Sequence, residues 1–111
     1  MTLQDLTENI KKQLDDSAWF GDIGCPIDVI HASLGLNEEA GEVAGLAKKE
    51  VLRGVPKSDE KWLSELGDVL WYLVATIVEK GFTLDQVWEY NCEKLAERRA
   101  TGMKGDTVWK G

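Results

Sequence analysis

The chain has 111 residues, 43% hydrophobic and 30% charged, the balance of one soluble globular domain over residues 1–111 rather than of a disordered segment. A net charge of −7 has the wrong sign for a general nucleic-acid binder, so no nucleic-acid partner is expected. No run of about 18 apolar residues could span a membrane.

Four helices are predicted in chain order. The first runs from residue 2 to about 16, with Leu3, Leu6, Ile10 and Leu14 at helical spacing. The loop WFGDIGCP comes next, broken by its glycines and Pro26, and Pro26 suits the first turn of a second helix. That helix extends to about residue 53, where Gly54 and Pro56 end it. Ser58 can cap a third helix, with Asp59 and Glu60 favouring its dipole, and the helix ends before Gly81. Thr83 and Gln86 form a capping-box pattern for a fourth helix reaching about residue 100. The tail TGMKGDTVWKG reads as loop. The opening MTLQDLTENIKKQL lacks the basic head and apolar run of a secretory signal. Cys25 and Cys92 have no metal or C-x-x-C spacing, so reduced packing thiols in a cytoplasmic protein are expected.

Two acidic clusters carry the chemistry. Glu38, Glu39 and Glu42 lie on the second helix, and Glu65 and Asp68 on the third. Glu39/Glu42 and Glu65/Asp68 are i, i+3 pairs, so each pair projects from one helix face. Turned toward each other, the two faces would place four carboxylates around one space. Oxygen ligands at that density suit Mg²⁺, or Mn²⁺ in its place, and repel one another without a cation.

The surrounding stripes support this reading. The second helix has an apolar side (Val29, Ala32, Leu36, Ala40, Val43, Ala47, Val51) and a polar side that carries Asp28, His31, Gly35 and the glutamates. Its three glycines, Gly35, Gly41 and Gly45, each cost about 0.8–1.0 kcal/mol against alanine, which suggests close approach by a helix or a ligand. The third helix is apolar around most of its circumference, with Leu66, Val69, Leu70, Leu73 and Ile77 as one seam. Only the stripe Glu65, Asp68, Tyr72, Glu79 departs from this, and carboxylates on so apolar a helix are costly unless paired or coordinated. On the fourth helix Asn91, Lys94 and Arg98 form one donor stripe suited to phosphate oxygens, with Leu84, Trp88 and Leu95 beside it for the core. An all-α four-helix bundle of this kind completes its core by oligomerisation, as a homodimer or a dimer of dimers.

In this combination the chain resembles the MazG-like, all-α nucleoside triphosphate pyrophosphohydrolases, whose signature is EExxE, a spacer, then ExxD. Here it reads Glu38-Glu39-Ala40-Gly41-Glu42, 22 residues, then Glu65-Leu66-Gly67-Asp68, with LGLNEEAGEVAGLAKKEV, ELGDVLWYLVA and NCEKLAERR around it. The resemblance covers about residues 30–100. It implies Mg²⁺ on Glu39, Glu42, Glu65 and Asp68, and Glu38 orienting or activating water. It also implies Tyr72 near the nucleotide, and phosphate and sugar contacts from Asn91, Lys94 and Arg98. The segment GMKGD is similar to a glycine-rich closing segment of some members, without an arginine soon after the aspartate.

The activity so implied is Mg²⁺-dependent hydrolysis of nucleoside triphosphates, often deoxynucleotides, to monophosphate and pyrophosphate, serving nucleotide-pool housecleaning. Trp19, in the loop before the second helix, is the candidate for base stacking, with Phe20 behind it. His31 either contacts a base edge or is a partly buried structural histidine. The alternative class is a non-catalytic acidic module that docks on a basic partner or binds nucleotides without turning them over. A carboxylate-bridged di-iron bundle would need two Glu-x-x-His motifs, and the chain has a single histidine.

Overall fold

The computed structural model describes residues 1–16 and 27–102, and among them every regular element is helical. Helix α1 spans Leu3–Asp15, α2 Val29–Ala47, α3 Asp59–Glu79 and α4 Leu84–Ala100, and a π-helical turn, Lys48–Leu52, extends α2. No helix among the described residues is long and apolar enough to cross a membrane.

The ends of these helices are set by side-chain caps. Thr2 and Asp5 exchange the two bonds of a capping box on α1, and Thr83 and Gln86 do the same on α4. Ser58 accepts from the Lys61 amide at the start of α3. Helix α2 begins at Val29 because Asp28 is its cap, accepting from the His31 amide at 2.9 Å. Asp28 is therefore a capping residue rather than part of the helix's polar side, and Pro26 lies outside the described residues. At the other end of α3, Gly81 takes φ +81°. Its amide reaches the Val78 carbonyl while the Phe82 amide reaches that of Ile77, the paired closure that a left-handed glycine allows.

The π-helical turn is tied to the start of α3 through one side chain. Glu50 accepts from the Lys57 amide at 3.4 Å and from the Trp62 indole N–H at 3.1 Å. One carboxylate thus bridges the end of the α2 segment, the connecting loop and the first turns of α3.

Ile10 of α1, Ala32 of α2, and Val74 and Ala75 of α3 form the buried centre, with Leu6, Leu14, Ile27, Trp71, Val78 and Leu84 packed on it. The small residues Ala32 and Ala75 let α2 and α3 approach closely, and this is the most extensive helix pairing among the described residues. The Trp71 indole N–H donates to Gln13 at 2.6 Å and ties α1 to α3.

Three packing expectations are corrected. The buried seam of α2 runs through Ala32 and Leu46, with Gly35, Leu36, Glu39 and Val43 partly buried, while Ala40 and Val51 are exposed. The face toward α3 therefore includes Gly35 and Glu39 from the side read as polar, because contact with one neighbour uses the narrower i, i+3/i+4 row. On α3, Leu66, Leu70 and Leu73 are exposed in the single chain, as are Trp88 and Leu95 on α4, although the hydrophobic pattern places them in a core. Cys92 is likewise exposed rather than packed.

Candidate functional site

The α2–α3 pairing turns the two acidic motifs toward each other. Ligand oxygens of Glu39, Glu65 and Asp68 all lie within 4.8 Å of one another. Two opposite ligands of a single hard cation at about 2.1 Å each stand ~4.2 Å apart, so the three carboxylates need little movement to share one ion. An all-carboxylate set with no thiolate or imidazole favours a hard cation of the Mg²⁺ or Mn²⁺ kind over softer metals. Glu42, one turn beyond Glu39, is exposed and stands outside this close triad. It is still near enough to act electrostatically on Glu39 and on Lys61.

Burial and this crowding raise the pKa of Glu39. Its carboxyl is held above the ordinary range, first by loss of water and then by the charges of Asp68, Glu38, Glu65 and Glu42. Lys61 answers part of that charge. Its ammonium lies 2.9 Å from Glu65, an i, i+4 pair, and the Glu65 side chain is only 12% exposed. The Lys61 pKa is raised by that hydrogen bond first, then by the charges of Glu65, Glu42 and Asp68, against an opposing effect of burial. Lys61 escaped the sequence reading, although its spacing from Glu65 was available as a signal.

Beside the triad, a groove of about 490 Å³ is lined by Asp28, Ile30, His31, Leu34, Gly35, Glu38 and Tyr72. Tyr72 stands edge-on to Trp71, with ring centroids 5.1 Å apart, and its ring covers Gly35. The Tyr72 hydroxyl is pushed above its usual pKa by partial burial, then by Glu39, Glu38 and Asp68. The groove therefore has an acidic end, at Glu38 beside the triad, and an apolar edge, at the exposed side chains of Ile30 and Leu34. The sequence patterning did not single out Ile30 and Leu34, because a wall of an open groove has the burial of an ordinary surface residue. His31 is partly buried and lines the groove. Trp19 and Phe20 lie outside the described residues.

The cationic stripe is placed elsewhere in the single chain. Asn91 and Lys94 line a separate groove of about 470 Å³ with Phe82, Gln86, Val87 and Tyr90. Among the described residues, α4 packs on α1 and α3 and not on α2. Arg98 is partly buried on α4. Glu39, Glu65 and Asp68 thus converge, and Glu38, His31 and Tyr72 share the adjoining groove, whereas Glu42 stands outside the triad and Asn91 and Lys94 line a different groove of the same chain.

Comparison with known proteins agrees with this geometry. A family model described as the MazG nucleotide pyrophosphohydrolase domain matches residues 31–103, a span that holds both acidic motifs and the donor stripe. The chain is also similar to the Gene 37 protein of Mycobacterium phage L5, with 35% identity over 78 residues, covering 66% of this chain and 68% of that protein. No solved structure matches it. With an all-helical architecture, facing acidic helices and this match over most of its length, the chain belongs to the MazG nucleotide pyrophosphohydrolase family.

Proposed function

We propose that the protein hydrolyses nucleoside triphosphates, deoxynucleotides among them, to the monophosphate and pyrophosphate, with Mg²⁺ as its cofactor and Mn²⁺ as a substitute. The observation that carries this reading is the convergence of Glu39, Glu65 and Asp68 from two helices at the acidic end of the groove that contains Glu38 and Tyr72. Glu39, Glu65 and Asp68 would hold the cation, with Glu42 joining from the next turn. When bound, the cation would polarise the phosphate oxygens and offset charge on the departing pyrophosphate.

The remaining roles fall to the chain's own groups. Glu38 would orient a water in line with the α-phosphorus and accept its proton as the new P–O bond forms. The bond from the α-phosphorus to the bridging oxygen breaks, and its electron pair leaves on pyrophosphate. Tyr72, wedged over Gly35, would form the wall against which the sugar rests. His31, Ile30 and Leu34 would face the base, with Trp19 as a stacking partner. Asn91, Lys94 and Arg98 would hold phosphate and sugar oxygens. Because Asn91 and Lys94 line another groove in the single chain, we place that contact in a homodimer or tetramer, where α4 of one copy can approach the triad of another. Nucleotide-pool housecleaning in the cytoplasm fits such an activity.

The test is a panel of nucleotides incubated with the purified protein and Mg²⁺, then separation of products. Monophosphate with pyrophosphate is expected. Diphosphate with orthophosphate would move the cleavage to another bond, and absence of turnover across the panel would overturn the reading. Glu39→Gln and Asp68→Asn should each abolish the Mg²⁺-dependent reaction while helical content is retained.

A further inference from the structure

Lys61 is hard to explain as a helix residue. It occupies the third position of α3, counted from the Ser58 cap, where the helix dipole disfavours a cation. It also precedes its partner Glu65, and lysine before glutamate is the weaker order for an i, i+4 pair. Two local preferences are thus set aside at one position, and such departures mark sites held for another purpose. The purpose is visible in what the ammonium touches. Its partner Glu65, with a side chain only 12% exposed, is far less open to water than an ordinary surface carboxylate, and it is one of the three whose oxygens converge. Lys61 also lies within electrostatic reach of Glu42 and Asp68.

We infer that Lys61 is a resident counter-ion of the carboxylate cluster: its ammonium holds Glu65 in the metal-free protein and competes with the divalent cation for that carboxylate. This role rests on the proposed metal site and adds to it a residue that sets the affinity of loading. Without a cation, Glu39, Glu65 and Asp68 repel, and Lys61 offsets part of that repulsion. Loading sets a second positive charge against the ammonium, which contacts one Glu65 oxygen, and a long exposed side chain can swing away without moving the backbone. Removal of the lysine therefore raises the energy of the empty cluster and also deletes a positive charge near the incoming ion. Both effects act in the same direction and favour binding.

The experiment measures Mn²⁺ binding to the full chain without nucleotide, by titration calorimetry and by the paramagnetic resonance signal of free Mn²⁺. Lys61→Met should bind about three- to ten-fold more tightly than wild type, a range consistent with screened interactions at a solvated site. Lys61→Arg should keep wild-type affinity, since it retains the charge. In chelator, Lys61→Met should melt below wild type, and saturating Mn²⁺ should close that gap. Equal or weaker affinity in Lys61→Met, with wild type binding normally, would overturn the counter-ion role and leave the metal site standing. A wild-type protein that binds no Mn²⁺ would overturn the site reading and this role together. If Lys61→Met does not fold, Lys61→Gln provides the same comparison.

Discussion

Gly35 lies beneath the ring of Tyr72, so close that a Cβ at position 35 would overlap three ring carbons. The contact joins α2 to α3 at the rim of the groove and leaves the ring no room to settle further. Glycine normally costs a helix about 0.8–1.0 kcal/mol relative to alanine, so Gly35→Ala would stabilise an open helix. Here the overlap should dominate, with a net loss of roughly 1–3 kcal/mol, the usual range for overpacking. Gly41 and Gly45 have nothing within 4 Å of the same hypothetical atom. Gly41→Ala and Gly45→Ala should therefore gain up to about 1 kcal/mol each. Thermal melts of the three variants check the contrast; a gain at position 35 would contradict the close contact.

Glu39→Gln should make the metal-free protein more stable while abolishing turnover. A carboxyl whose pKa is raised by folding binds its proton more tightly in the folded chain than in the unfolded one. Its ionisation therefore costs stability at neutral pH, and the cost is relieved as pH falls through the folded pKa toward the unfolded value. For Glu39 the causes are burial and then Asp68, Glu38, Glu65 and Glu42. In chelator at pH 7 the variant should melt ~2–4 °C above wild type, as expected when about 0.5 kcal/mol, a solvent-screened magnitude, is recovered in a domain of this size. The difference should shrink as the pH is lowered into the carboxylate range. Paired melts across pH measure it, and a variant that melts below wild type at pH 7 would show that Glu39 is not strained by its neighbours.

Much of this architecture was legible in the sequence, and the exceptions share a cause. Caps are local, so Ser58 and Thr83 mark the starts of α3 and α4, while the caps at Thr2 and Asp28 are findings of the structure. The facing of Glu39 toward Glu65 and Asp68 was legible from an acidic motif on each of two largely apolar helices, but the expected fourth carboxylate, Glu42, stands outside the close triad. Which row of α2 is buried was not legible, since Ala32, Gly35 and Glu39 become a seam only once the crossing of α2 over α3 is set. Lys61 was overlooked because its value lies in a carboxylate group assembled from two helices. The donor stripe of α4 was correctly seen as a stripe, but no helical period says which neighbour the stripe will face.

Glu50 should matter to stability without touching substrate. Its carboxylate takes the Trp62 indole N–H and the Lys57 amide, so it holds the start of the helix that carries Lys61, Glu65 and Asp68. Glu50→Ala leaves both donors without that acceptor and should cost roughly 1–2 kcal/mol. Glu50→Gln keeps a carbonyl oxygen and should lose less. Denaturant titration monitored by tryptophan emission reads both effects. Equal stability of Glu50→Ala and wild type would mean that water replaces the carboxylate without loss.

The exposed leucines of α3 supply the test of assembly. Leu66, Leu70 and Leu73 recur at helical spacing on one face, and Leu70 retains 44% of its exposure in the single chain; Trp88 on α4 retains 63%. A scattered surface leucine needs no explanation, but a periodic seam on a helix that also carries the acidic motif does. In the proposed homo-oligomer, this seam would be buried by another copy, and each leucine, already more than half covered, would contribute roughly 0.7–1.5 kcal/mol on losing the rest of its exposure. Leu70→Glu would place a charge in the middle of the seam and should convert the assembly to monomers, as measured by light scattering on a sizing column. The metal triad belongs to one chain, so Mn²⁺ binding should survive in the dissociated variant. Turnover should fall, because the donors on α4 that face away from their own triad would no longer meet a neighbour's. A wild-type protein that runs as a monomer with full activity would place the whole site within one chain and require α4 to reach α2 by another route.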